Sequence, residues 1–98
     1  MLTLHKLNLS GPSTTVRVTT AEATLLRAFA QSPDGRMDLT EVAQCLGVVR
    51  GDTQRSNIQV RIVRLRKKLQ VAGAEGAVIE AIRNVGYQFF DELSIRKA

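Results

Sequence analysis

The chain has no tryptophan, one tyrosine, three phenylalanines, one cysteine and one histidine in 98 residues. With aromatics at 4%, the core must be built from Leu, Ile, Val and Ala. The lone Cys45 excludes an internal disulfide and is compatible with a reducing compartment. It lies on the apolar side of a short helix, where a thiol acts as a small inert hydrophobe. The lone His5 has no His or Cys cluster to share a metal with and reads as a strand surface residue. No run approaches the ~20 apolar residues of a transmembrane helix, and no charged-then-apolar leader opens the chain. Repeats, low-complexity tracts and linkers are also missing. So are paired carboxylates, a nucleophile triad and a phosphate-cradling glycine loop. The expectation is one domain spanning 1–98 with no enzymatic chemistry, no cofactor and no metal.

Acid is scarce where base is dense. Residues 1–49 carry four basic and four acidic groups, whereas residues 50–98 carry ten and five and so supply the whole net charge of +5. Between Arg50 and Lys68 seven basic groups face one acid, Asp52. Charge clustered on one element marks a surface for a polyanion.

The centre of that cluster is "NIQVRIVRLRKKLQ", Asn57 to Gln70. Ile58, Ile62, Leu65 and Leu69 recur with the period of one buried helical stripe. Arg64 and Lys67 fall on the opposite side, Arg61 and Lys68 on its flank, and Asn57 and Val60 also point away. Arg66 sits nearer the stripe, so its stem is expected to pack while its head pairs with a carboxylate or phosphate. A helix over about 55–71 therefore holds a core with one face and offers cations with the other.

The remaining elements follow from local chemistry. Leu2, Leu4, Leu7 and Leu9 alternate with a slip in the middle, giving a strand with a bulge or two short strands. "SGPS" is a turn, and "TTVRV" is another short strand, so that strands occupy about 2–18. Thr19 and Glu22 form a capping box for a helix over 20–31 that buries Leu25, Leu26 and Phe29. "SPDG" stops it. Asp38 and Glu41 repeat the capping pattern for a helix over 39–46 that buries Val42, Cys45 and Leu46, and Gly47 ends it. Residues 48–54 form a loop, and "AGAEG" breaks the long helix. Val78–Ile82 and Tyr87–Phe90 then form a hairpin over about 78–90 around "RNVG", with Phe89 and Phe90 at or near the core. The fold class is α+β.

This order, with these residues, resembles the winged helix-turn-helix domain of OmpR/PhoB-type bacterial response regulators. "VTTAE" looks like the start of the family's first helix, "MDLTEVAQCLG" like its second, "NIQVRIVRLRKKL" like its recognition helix and "VIEAIRNVGYQF" like its wing. The resemblance covers nearly the whole chain. It implies an output domain binding double-stranded DNA, with the recognition helix in the major groove. Asn57, Val60, Arg61 and Arg64 are then the base-contact candidates, since arginine can pair with guanine and valine can touch a thymine methyl. Arg83 holds the place of the wing arginine that enters the minor groove. Tyr87 matches a wing tyrosine that packs and can touch phosphate. Phosphate contacts are expected from Arg50, Arg55, Lys67, Lys68 and backbone N–H groups at helix starts. The resemblance further implies dimers on tandem half-sites, RNA polymerase contact through Val49, Arg50, Gly51 and Asp52, and a bacterial cytoplasmic, nucleoid-associated protein.

The sequence departs from the family pattern at four positions. Ser56 replaces a basic residue, Gln59 an acidic one, Ala81 a wing hydroxyl and Asn84 a wing glycine. The first two bear on base preference and none on the fold. A receiver domain is not present in the sequence, so a segment of a longer regulator is expected rather than a free-standing domain. Two rival readings remain: a winged-helix protein-interaction module that contacts polymerase or another partner without binding DNA, and attachment of the basic helix to a membrane surface. The second conflicts with the stripe, which the core needs.

Overall fold

The computed structural model describes residues 2–48, 54–76, 78–91 and 93–96, with backbone alone for 54 and 55. Strands β1 (Leu2–His5), β2 (Asn8–Ser10) and β3 (Thr15–Arg17) lead into helix α1 (Thr20–Gln31). Strand β4 (Arg36–Asp38) and helix α2 (Leu39–Leu46) follow, then α3 (Gln54–Ala72), β5 (Ile79–Ile82), β6 (Gly86–Phe89) and β7 (Leu93–Arg96).

The slipped alternation at the N-terminus resolves as two strands. β1 and β2 pair antiparallel with Leu4 opposite Leu9, and Lys6 makes the reversal at φ +56°. Leu2, Leu4 and Leu9 all point into the core. Two strands lie outside the sequence-based expectation. β7 pairs parallel to β1, closing a sheet of order β3-β2-β1-β7. β4 pairs with β6, so the wing hairpin becomes a three-stranded sheet of order β4-β6-β5.

Both helix starts follow from their caps. Thr19 Oγ1 accepts the Glu22 N–H at 3.1 Å, and Glu22 Oε1 accepts the Thr19 N–H at 2.8 Å, the reciprocal box that the spacing predicts. Asp38 caps α2 by accepting the Glu41 N–H at 2.8 Å, without a return bond from Glu41. Gly47 ends α2 at φ +69° with open space around it, so glycine is needed there for backbone conformation rather than room.

The stripe on α3 is buried as expected: Ile58, Ile62, Leu65 and Leu69, with Ala72 one turn on, pack against Leu25, Leu26 and Phe29 of α1 and the inward leucines of the first sheet in one cluster. Burying each of these large aliphatics contributes roughly 1.5–3 kcal/mol. The far end of α3 is held by the turn between β2 and β3, where Ser13 and Thr14 N–H groups donate to the Ala72 carbonyl at 3.0 and 3.3 Å.

Three expectations are corrected. Phe90 is exposed: β6 alternates, Tyr87 and Phe89 take the inward positions, and Phe90 falls outside as the strand ends. Cys45 is only half-buried, and Ala43 takes the inward place on α2. Burial still pushes the Cys45 thiol up, with the Glu41 charge adding to it, which suits an unreactive thiol. His5 is not a plain surface residue, because its Nε2 is buried with no hydrogen-bond partner among the described residues.

Candidate nucleic-acid interface

The outward face of α3 is bounded on both sides by contacts to the rest of the fold. On one side Arg61 donates to the Leu46 carbonyl at 3.2 Å, closing the end of α2. On the same side Lys68 Nζ lies 2.6 Å from Glu22 Oε1. On the other side Arg66 Nε donates to the Ile79 carbonyl at 2.7 Å, fixing the helix to the wing. The head of Arg66 thus pairs with a backbone carbonyl, not with the expected carboxylate or phosphate. The residue is half-buried, as its position near the stripe predicts.

What remains between these borders is narrower than the basic count suggests. Ser56, Asn57, Val60, Val63, Arg64, Lys67 and Val71 are exposed. Arg64 and Lys67 make no hydrogen bond or ion pair among the described residues, whereas Arg61, Arg66 and Lys68 are each engaged internally.

The wing tip stands beside this face. Ile82 opens a turn closed by the Val85 N–H donating to the Ile82 carbonyl at 3.0 Å, with Asn84 at φ +64°. A turn with positive φ at its third residue favours Gly or Asn, which is why Asn84 serves where the family pattern has glycine. Gly86 then passes so close to β4 that a Cβ there would lie 2.8 Å from the Asp38 Cα and nearer still to the Met37 carbonyl oxygen. This contact sets the wing against the start of α2, and the Leu39 N–H donates to the Val85 carbonyl at 3.2 Å.

Arg83 is exposed at the tip and has no partner among the described residues. Between tip and helix runs an open groove of about 600 Å³ lined by Leu39, Gln59, Ala81, Arg83, Asn84 and Tyr87 among others. Tyr87 contributes to the groove but is only 7% exposed. Burial raises its phenol above the usual tyrosine range, and the nearby Arg66 charge opposes that rise.

Of the sequence-derived candidates, Asn57, Val60, Arg64 and Lys67 share the open face of α3, and Arg83 lies across the groove. Val49, Arg50, Gly51 and Asp52 lie outside the described residues, as does the side chain of Arg55. Val63 belongs to this surface although the sequence assigned it no contact, and Gln59, which the family resemblance tied to base preference, lines the groove. The signal for Val63 was its place opposite the stripe. Among the described residues no helix is long and apolar enough to cross a membrane. The α3 stripe is consumed by the core and unavailable to lipid.

Comparison with known proteins agrees with this architecture. None of the curated proteins matches the chain. Solved structures do. The DNA-binding domain of response regulator AdeR, determined in complex with an intercistronic region, superposes with a TM-score of 0.68 at 17% identity. That match covers 89% of this chain and 88% of the other, and it shows the winged-helix fold. The family model described as transcriptional regulatory protein, C terminal, matches residues 13–89, from the turn before β3 to the end of the wing strand β6. That family is one of transcription regulators, not of enzymes. The chain belongs to this family, the C-terminal domains of transcriptional regulatory proteins of the OmpR/PhoB type.

Proposed function

We propose that the chain is the DNA-binding output domain of a two-component-type response regulator, with α3 entering the major groove and Arg83 the adjacent minor groove. The observation that carries this reading is the α3 face itself. Arg64 and Lys67 have no partner among the described residues, while their basic neighbours are tied inward. Leaving two cations without partners on a rigid, core-anchored helix suits an external polyanion. The wing groove alongside gives room for a phosphate backbone beside the helix. That the AdeR domain was solved with DNA supports the same use of the shared fold.

In this reading Arg64 and Asn57 reach base edges, Lys67 meets phosphate and Arg83 enters a narrow A·T-rich minor groove. Arg50 and Arg55 add phosphate contacts. The domain works in the bacterial cytoplasm, as a dimer on tandem half-sites, and polymerase is contacted through residues 49–52.

The test is selection of sites from a random duplex pool at two salt concentrations. Enriched direct repeats about one helical turn apart are the expected result. Four to six neutralised phosphates give a log–log salt slope of roughly −4 to −5. Absence of binding at low salt would overturn the reading in favour of a protein-interaction module.

A further inference from the structure

Five large apolar side chains are exposed among the described residues: Val60, Val63, Val71, Val85 and Phe90. Single exposed hydrophobics are ordinary. Their distribution is not, because three of the five lie on the outward face of α3 and Val85 lies at the wing tip. Val60 and Val63 are 49% and 45% exposed and stand one turn apart, flanked by Arg64 and Lys67.

Helix stability does not explain this pair. Valine is a poorer helix former than the Lys, Arg, Gln or Ala that an exposed helical site ordinarily carries. Core packing does not explain it either, since the stripe on the far side is complete. What valine offers at an exposed helical site is a stiff, branched apolar surface. Its χ1 is already fixed in a helix, so little rotamer freedom is lost when something packs on it.

We infer that Val63 is a second apolar contact for a thymine C5-methyl group in the major groove, beside the one that the family resemblance implies for Val60. The inference rests on the DNA-binding reading and deepens it. The cations beside the pair select a polyanionic partner, and the C5-methyl of thymine is the apolar group that the major-groove edges of DNA present. Side chains at i and i+3 of a helix are about 5–6 Å apart, which spans one to two base steps of about 3.4 Å. The pair therefore favours sites with two thymines one or two steps apart beside the guanine or phosphate taken by Arg64. Val71 is a built-in control. It lies on the same face but eight residues beyond Val63, about 12 Å further along the axis, and recognition helices reach bases with their N-terminal part.

The experiment takes the duplex enriched from a random pool and replaces each thymidine in turn by 2′-deoxyuridine, which removes only the methyl. At one or two positions affinity should fall about fourfold, the equivalent of burying one methyl-sized group. In Val63→Ala the thymine-to-uracil ratio should collapse towards one at one such position while the salt slope stays unchanged; in Val71→Ala it should persist. Alanine at exposed helical positions keeps the fold, so loss of the ratio cannot be ascribed to unfolding. If the chain selects a site but binds its thymine and uracil forms equally, the methyl reading is overturned and DNA binding stands. The Val63 contact also fails if every such ratio survives in Val63→Ala. If no sequence is enriched and no duplex is bound, DNA binding and methyl reading fall together.

Discussion

Lys68 Nζ lies 2.6 Å from Glu22 Oε1, and the same oxygen accepts the Thr19 backbone N–H at 2.8 Å. One buried carboxylate oxygen thus closes the cap of α1 and latches α3 to it. This gives a basic residue of α3 a structural duty that its charge alone would assign to DNA. Lys68→Ala strips the charge partner from a carboxylate that is 9% exposed, while the lysine itself is 32% exposed. A charged hydrogen bond is worth about 1.5–3 kcal/mol, and solvent screening at the lysine reduces the expected loss to about 1 kcal/mol. Urea denaturation should show that loss, with affinity for random duplex changed less than about twofold, well under the tenfold that 1.4 kcal/mol represents. An unchanged midpoint with weakened DNA binding would return Lys68 to the phosphate contacts.

Gly86 sits at a close backbone approach in the wing. Its backbone sits at φ +156° against the Met37 carbonyl and the Asp38 Cα. A methyl there meets backbone, not a side chain that can swing away. Gly86→Ala should therefore cost about 2 kcal/mol or more through forced separation of β4 and β6. Hydrogen exchange should speed up in β4 and β6 ahead of β1 and β2. Parental stability in this variant would mean that the strands separate without cost.

Much of this architecture could be read from residues alone, because its signals are local. Thr19 and Glu22 mark α1, Asp38 and Gly47 bracket α2, and the Ile58–Leu69 stripe marks α3 to within a residue at each end. The strands that escaped are those whose reason is distant. β4 is three residues, too short for alternation to register, and it exists because Met37 pairs with Tyr87 fifty positions away. β7 needs β1, at the opposite end of the described chain, as its partner. The open face of α3 was legible as a direction on a helical wheel. Which of its cations are spent internally was not. That depended on where the Leu46 and Ile79 carbonyls and the Glu22 carboxylate come to rest.

Tyr87 links the wing to pH. Burial holds its phenol above the usual value near 10, against the opposing pull of Arg66. In the unfolded chain the phenol ionises at about 10, whereas in the fold it stays protonated to higher pH, so above about pH 10 the unfolded state binds fewer protons and stability falls. Its contribution is fully present below that pH and lost as pH climbs through the folded value. Tyr87 is the only tyrosine, so ultraviolet titration of phenolate reports it alone. Arg66→Ala should move the transition further upward. A transition at or below the ordinary tyrosine value in the parent chain would contradict the buried placement.

Arg64 and Lys67 stand one turn apart on the same face, without partners among the described residues, yet their expected roles differ. Arginine presents a planar fork that pairs with guanine O6 and N7, whereas lysine is a point charge suited to phosphate. On a selected site Arg64→Ala should cost about 1–3 kcal/mol and relax discrimination at one base pair, with a smaller loss on random duplex. Lys67→Ala should weaken selected and random duplexes alike and make the salt slope shallower by about one. Competition binding over a salt series measures both. Equal losses on the two duplexes for Arg64→Ala would make Arg64 a phosphate contact and leave guanine reading to Arg61. That would require Arg61 to leave the Leu46 carbonyl, and Arg61→Ala would then relax specificity in its place.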